Sequence, residues 1–455
     1  MTDAIQMVRT LITGLLRFTR NDKGAGLLRF TRNDKGGLDC RAVCAVTKGK
    51  RKEFYSGFLC IVYSMLGVDM KMYDIIIVGA GAAGLTAARA AIGRKKSVAI
   101  LEMNNMPARK VAASGGGRCN ITNMAAGYNR YFGQNNHFVR SALAQFGPND
   151  TLDWTKKHNI KLFEKEIGRF FCADGANTVV DALVRDVRGA DIFYSTSVVA
   201  IGKNGDTFDI VCDDNRVFYA KSVILATGGT SFGALGVSDA GYKIAKSFGH
   251  KIIPVRPALC AMAISQWPND LSGISIPAQI TVGKNKINDD LLFTHFGIGG
   301  PLAYRASLFD ITDDITINLL PNIDLENTLC NIKKNNGRKS ITNVIAEYLP
   351  LRVARWITNN DTRNIADIKN TEIKQITTNI TNIKIPRDAI KYHNMQSAEV
   401  VRGGISTDEV SSKTMESKLC KNLFIVGELM DVAGDLGGFN LQWAWASGYV
   451  AGINA

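Results

Sequence analysis

The apolar positions fall into two textures. From Tyr73 the chain runs YDIIIVGAGAAG, a β-branched hydrophobic stretch that breaks into glycine and is followed by helix-forming Ala and Arg. SVAILE, Ser97 to Glu102, is a second short apolar run. Together they predict a strand–helix–strand unit of about thirty residues, the opening of a parallel, doubly wound α/β sheet. SVILATGG (Ser222–Gly229) and NLFIVGE (Asn422–Glu428) predict two further buried strands, each ending in glycine. Between them the texture changes. Residues 256–320 give short β-rich segments broken by Gly and Pro, and residues 321–385 give helix-like spacing around ITNVIAEYLPLRVARWI. The expected organisation is an α/β domain in two segments, 72–255 and 404–455. It encloses a β-rich domain, 256–320 and 386–403, that carries a helical insert at 321–385.

Composition changes this picture little. A chain of 455 residues with 46% hydrophobic positions accommodates two or three ordinary domains. The run FLCIVYSMLGV, Phe58 to Val68, is too short to span a bilayer and lacks a small-residue cleavage site, so no membrane partner and no secretory signal are expected. Nine cysteines are scattered, the nearest pair, Cys40 and Cys44, fits neither zinc nor thioredoxin spacing, and five histidines lie far apart. No metal is expected, and the thiols point to a reduced, cytoplasmic compartment.

The formal charge is +14, and residues 1–71 carry half of it, +7. In that stretch LLRFTRNDKG occurs twice, at Leu15–Gly24 and Leu27–Gly36, with neither a helical nor a strand stripe. It reads as a disordered leader or the translation of a repetitive element, with Met70 or Met72 as an alternative start. A basic nucleic-acid arm is the rival reading. The remaining +7 suits a solvated surface, so no nucleic-acid partner is expected. Oligomeric state is left open.

Gly79-Ala80-Gly81-Ala82-Ala83-Gly84 fits G-x-G-x-x-G, and Glu102 ends the next strand eighteen residues after Gly84. Gly79 permits the tight turn, Gly81 lets backbone approach a pyrophosphate, and Gly84 lets helix and strand pack closely. The helix start at Ala82 and Ala83 presents free N–H groups and a positive dipole end to phosphates. Glu102 would accept hydrogen bonds from ribose hydroxyls. This is a Rossmann-like dinucleotide site.

Near the C-terminus, GELMDVAGDLGGFNLQWAWASGYVAG (Gly427–Gly452) joins a strand end, a glycine pair and a helix. Gly437 and Gly438 would let Phe439 and Asn440 lie close to a ligand. The helix from Leu441 would aim its N-terminus at the electron-rich edge of a reduced isoalloxazine. Trp443 and Trp445 are read as core.

The set IIIVGAGAAGLTAA, SGGGRCNITN, ATGG, FTHFGIGGP, TMESKL and FIVGELMDVAGDLGGFNLQWAWASG resembles the BaiN-type flavoproteins. These include aminoacetone-oxidase-like FAD-binding enzymes and NAD(P)/FAD-dependent oxidoreductases. The resemblance runs from about Tyr73 to Ala455. It implies non-covalent FAD, a two-segment FAD domain, a β-barrel-like second domain and a helical insert. It also implies that Ser114, Gly115, Gly116 and Gly117 bring bare amides to the pyrophosphate and flavin, with Lys110 and Arg118 adding positive charge. Asn120, Thr122 and Asn123 are then polar contacts to the ribityl chain or ring, and Cys119 is an unreactive thiol against the flavin, with no partner cysteine nearby in sequence. Val198 would hold the adenine through its backbone, Thr227, Gly228 and Gly229 would close over the FAD, and Gly427, Glu428 and Asp431 would reach the ribityl or pyrophosphate region.

No second G-x-G-x-x-G follows a later strand, so NAD(P)H, the candidate reductant, would share the substrate's cleft in ping-pong fashion. A small-molecule substrate such as an enone or carbonyl compound is expected. A peroxide-producing oxidase of a small amine or amino-ketone and an FAD-dependent RNA-modifying enzyme are the alternatives. His295, in FTHFGIGGP, either orients a carbonyl or donates a proton, or else stabilises its turn. Arg169 either binds an anionic substrate or bridges two domains.

Overall fold

The computed structural model describes residues 27–32, 38–44, 71–166 and 168–455. Leu27–Arg32 and Leu38–Cys44 pair as antiparallel strands, so the second copy of the repeat opens with a strand where neither rhythm was expected. The first copy and the run Phe58–Val68 lie outside the described residues. Among the described residues no helix is long and apolar enough to cross a membrane.

The strand Met72–Val78 pairs in parallel with Val98–Leu101 on one side and with Val217–Leu225 on the other. Asp191–Phe193 extends the sheet beyond Val98–Leu101, and Leu423–Ile425 extends it beyond Val217–Leu225, both in parallel. Ile75, Ile76 and Ile77 are completely buried, so the strand is covered on both faces. An antiparallel hairpin, Val198–Asn204 with Thr207–Cys212, completes one end of the sheet.

The last parallel strand comes from the far end of the sequence, and the C-terminal helix Phe439–Asn454 holds it there. That helix lies against Ala82–Gly93, the helix after the glycine-rich turn. A Cβ at Gly448 would overlap the carbonyl oxygen of Ala83, and one at Gly452 would overlap that of Ala87. The two helices therefore touch backbone to backbone through a glycine pair four residues apart. Trp443 and Trp445 are buried, as a helix apolar on every side requires, and their indole N–H groups donate to the carbonyls of Gly427 (3.1 Å) and Ile121 (2.9 Å).

The second domain is a seven-stranded, largely antiparallel sheet with edge strands Ile383–Ile385 and Ile390–Tyr392. Seven flat strands would put those edges about 29 Å apart. The five residue steps from Ile385 to Ile390 reach at most about 18 Å. The sheet must therefore curl, which gives the barrel-like form. The helices Leu325–Asn335, Ile341–Ile345, Leu351–Thr358 and Asn370–Thr381 form the insert and share one apolar core with the sheet. The end of the segment read as insert, Ile383–Ile385, is itself a strand paired with Ile315–Asn318.

The two chain crossings between domains, Ile252–Ala258 and Val400–Ile405, pair antiparallel with each other. Beside them Asp435, buried, accepts from Arg130 (2.9 Å) and from Arg305 of the second domain (3.1 Å), and Arg305 also meets Asp289 (3.3 Å).

The backbone contact between helices yields a test. Gly448→Val is expected to lower stability by about 3 kcal/mol, the upper end of ordinary overpacking costs. Gly93→Ala, where a Cβ meets nothing, is expected to be neutral or to stabilise by up to about 1 kcal/mol. Denaturant unfolding of both variants checks this, and equal stabilities would refute the tight contact.

Candidate dinucleotide-binding cleft

Four backbone segments converge at the carboxyl ends of the parallel strands. The first is the turn at Gly79, where a Cβ would stand 2.6 Å from the carbonyl oxygen of Ala226 and so tie this turn to Thr227–Gly229. The second begins at Ala108, whose N–H donates to Ala80 at 2.9 Å and sets the start of Arg109–Gly117 beside the same turn. The third is Val426–Glu428, where a Cβ at Gly427 would meet that of Ala83 at 3.1 Å. The fourth is the approach to the C-terminal helix, where a Cβ at Gly438 would lie 2.8 Å from Asn120 Oδ1.

The glycines here divide by what surrounds them. Gly84, Gly229 and Gly438 are filled in by neighbouring protein atoms, whereas a Cβ at Gly81, Gly116, Gly117 or Gly228 would meet nothing within 4 Å. The second group borders open space. Both helices that point into this space begin at glycine, Gly81 and Gly438, and neither has a side-chain cap. Their first amides are left for a ligand, and the dipole of each favours negative charge there. The apparent helix Arg109–Gly117 breaks at Ser114, after which Gly115, Gly116 and Gly117 all take left-handed φ, 59°, 66° and 81°. A side chain at each would cost about 1–2 kcal/mol, so the run keeps its backbone bare. Among the described residues, buried Asn120 Oδ1 and Thr227 Oγ1 have no partner. Open glycines, uncapped helix ends and orphaned polar atoms together fit a long phosphate-bearing ligand such as FAD.

Glu102, which follows the strand Val98–Leu101, is buried. Its carboxylate accepts from the N–H of Ala80 (2.7 Å) and from the N–H and side chain of Asn104 (both 2.8 Å). The amides hold it fixed. Val198 opens its strand two residues after Thr196, whose N–H donates to the Glu102 carbonyl (2.8 Å). Lys110 reaches Glu428 (2.9 Å) and Ser231 (2.8 Å), and Ser231 also bonds Glu428 (3.0 Å). Ser231 was absent from the sequence reading; it follows ATGG by two residues. Arg118 is exposed, with its guanidinium over the Phe163 ring.

Several expected contacts are spent inside the protein. Thr122 donates to Gln442 (2.6 Å), and Asn123 holds the Gly437 carbonyl (2.9 Å) and the Ala125 amide (2.9 Å). Asp431 accepts from Gln134 (2.8 Å) and Gly403 (3.1 Å). Asn440 closes the turn at Gly434, and Phe439 is buried edge-on to Tyr131. These residues shape the cleft wall from behind. Gln442, fully buried, accepts from Thr122 and Thr151 and donates to Phe146, a hub with no local sequence signal.

Cys119 is buried with φ of +48°, and burial pushes its thiol up to about 12. A second thiol lies close in the fold: the N–H of Cys172 donates to the Cys119 carbonyl at 3.3 Å. Strand pairing brings them together across fifty residues, and burial raises Cys172 as well. Arg169 pairs with Glu166 (2.6 Å), its buried Nε has no partner, and Gly437 packs against it. His295 is exposed at the turn between Asn285–Thr294 and Gly297–Gly299, edge-on to Phe296, which stacks on His393.

Gly81→Val is expected to leave the stability of the ligand-free protein within about 0.5 kcal/mol while abolishing retention of FAD through purification. Absorbance at the flavin band and denaturant unfolding measure the two halves, and a variant that keeps its flavin would mean that Gly81 faces no ligand. At pH 8 the Cys119 thiol is ionised to only about one part in ten thousand. Folded protein is therefore expected to leave it unalkylated by iodoacetamide, as read by peptide mass, and rapid labelling there would contradict the burial.

Residues 73–454 match the family described as HI0933-like protein Rossmann domain. The chain is 34% identical over 396 residues to the ribosomal RNA dihydrouridine synthase of Escherichia coli strain K12, covering 84% of this chain and 97% of that one. It is 35% identical over 393 residues to the Haemophilus influenzae protein of the same name, covering 83% and 97%. It is 31% identical over 408 residues to the 3-dehydro-bile acid delta(4,6)-reductase of Clostridium scindens, covering 84% and 98%. The chain belongs to the HI0933-like Rossmann family, the BaiN-type flavoproteins that its motifs resemble, and is an oxidoreductase of that family.

Proposed function

We propose that this protein is an FAD-dependent reductase that adds two hydrogens across a carbon–carbon double bond conjugated to a carbonyl, with NAD(P)H as reductant. The observation that carries the cofactor is the cradle of open glycines at two uncapped helix ends, Gly81 and Gly438. Bound FAD would supply hydride chemistry that no side chain can. The residues would do the rest. Glu102, held by the Ala80 amide, would take the ribose hydroxyls. The amides after Gly81 would take phosphate charge, and those after Gly438 the charge on the ring. The Lys110–Ser231–Glu428 group would fix the wall between them.

The names of the relatives support the substrate class. Dihydrouridine synthesis and bile-acid delta(4,6) reduction share one chemistry, hydrogen added to an alkene made electron-poor by a conjugated carbonyl. A second reading follows from the two dihydrouridine synthases at 34% and 35% identity: the alkene is the uracil ring of ribosomal RNA. That reading reverses the expectation of no nucleic-acid partner, and half of the chain's +14 charge lies in residues 72–455.

The test is a two-step anaerobic experiment. Purified yellow protein is reduced with NADH or NADPH, then mixed with cyclic enones, a steroid enone, a quinone, an amino-ketone, or an unmodified ribosomal RNA transcript. Reoxidation by an alkene, with a product heavier by two hydrogens, is the expected result, and the RNA arm separates the two readings. Folded protein that stays colourless with added FAD would sink the proposal. So would reduced flavin that turns over only with dioxygen, releasing peroxide.

A further inference from the structure

A reductase of this kind needs an acid as well as a hydride donor, and the carboxyl groups around the cleft narrow the choice. Glu102 is occupied by Ala80 and Asn104, and Glu428 by Lys110, Ser231 and the Val401 amide. Asp431 is occupied by two backbone amides, and Asp435 by Arg130 and Arg305. Each is engaged by donors of the protein, so its oxygens are already spoken for. Glu399 is different. Among the described residues its carboxyl makes no hydrogen bond and no close ion pair.

Its backbone is nevertheless fixed at the domain junction. The N–H of Glu399 donates to Leu259 (3.3 Å), and its carbonyl accepts from Ser231 (3.2 Å), the residue bonded to Lys110 and Glu428. Ala398 and Val400 on either side are buried, while the Glu399 side chain remains open to water. Val400, next in the chain, and Leu259, the backbone partner of Glu399, belong to an apolar cluster with Ala433, Tyr304 and Leu436 that both domains share. The bond from Ser231 to its carbonyl sets Glu399 beside the Lys110–Glu428 wall of the cleft. Arg169 and Tyr304 act on it electrostatically from two other elements, with Cys260 behind Tyr304. Arg169 in turn abuts Gly437, at the approach to the C-terminal helix. Desolvation by the protein packed against it raises the Glu399 carboxyl above its ordinary range, against the opposing pull of Arg169, although one edge of the side chain stays in water.

We propose that Glu399 is the catalytic acid of the second half-reaction, delivering a proton to the carbon next to the substrate's carbonyl. The inference rests on the reductase reading above. A hydride that bound, reduced FAD would supply to the far alkene carbon leaves the alkene's π pair to form the new bond at the near carbon. The near carbon then takes the Glu399 proton as that O–H bond breaks. The carboxylate left behind is reprotonated by water.

Holoenzyme carrying Glu399→Gln is expected to keep its flavin and its anaerobic reduction by NAD(P)H. Reoxidation by the alkene should slow by about 100-fold or more, the ordinary worth of a positioned acid. Wild-type reoxidation should fall as pH rises through the Glu399 ionisation, and this limb should be absent in the variant. In D2O the wild type should place deuterium on one face of the carbon next to the carbonyl. Glu399→Asp, which keeps the acid, should recover part of the rate. Independently of turnover, infrared difference spectra of glutamate-labelled holoenzyme should show a protonated carboxyl band that Glu399→Gln removes. If the wild type reoxidises with alkene and Glu399→Gln matches its rate and pH profile, the inference fails alone. If no alkene reoxidises the wild type, the reductase reading fails and takes the inference with it.

Discussion

The contact on which the rest depends is the meeting of two helix backbones. Gly448 and Gly452 sit where any side chain would strike the carbonyls of Ala83 and Ala87. This closeness joins segments more than three hundred residues apart and makes one dinucleotide site from two stretches of chain. It sets Gly438 beside Asn120 and Gly427 beside Ala83. The indoles of Trp443 and Trp445, bonded to Gly427 and Ile121, then lock the rotation of the C-terminal helix. A helix free to roll would carry its uncapped end away from the other. The glycine pair gives up side-chain packing for registry between two positive helix ends.

The second domain is held to this platform by paired crossing strands and by Asp435, which gathers one arginine from each domain. Both devices lie on the side where the apolar cluster of Leu259, Val400, Ala433 and Tyr304 forms. The junction is thus stiff on its hydrogen-bonded side and apolar within. A substrate bound there would be shielded from water on its carbon face, where charges act more strongly than in bulk solvent. The insert helices bury their apolar faces in the second domain's own core, so that domain's packing does not rely on the cleft.

What was legible in sequence were features whose meaning is local. The strand, glycine turn, helix and Glu102 follow one another within thirty residues, so spacing alone carries the geometry. Thr122, Asn123, Asp431 and Asn440 were harder. A polar side chain declares that it needs a partner but does not say which, and theirs come from Gln442, Gly437, Gln134 and Gly434. Of these four pairings only Asn440 with Gly434 is near in sequence. The same holds for Cys119 and Cys172, neighbours only through strand register, and for Glu399, whose surroundings SAEVV carry no pattern at all. The repeat segment hid its strand because LLRFTR alternates too briefly to stand out from its charged flanks.

Glycine shows how far such reading extends. The sequence cannot tell a glycine that makes room for protein from one that makes room for something else. Gly84 and Gly81 belong to one motif, yet the first is filled by the Gly79 carbonyl and the second faces nothing. Gly229 packs on Glu428 while its neighbour Gly228 is open. The open positions, Gly81, Gly116, Gly117 and Gly228, come from three separate segments, and packing explains none of them. At Gly81, which has no left-handed φ, glycine costs backbone entropy with no return from protein contacts, whereas at Gly116, Gly117 and Gly228 the left-handed φ of 66°, 81° and 73° repays part of it. A ligand that needs the space supplies that return, and its outline is the common border of those three segments.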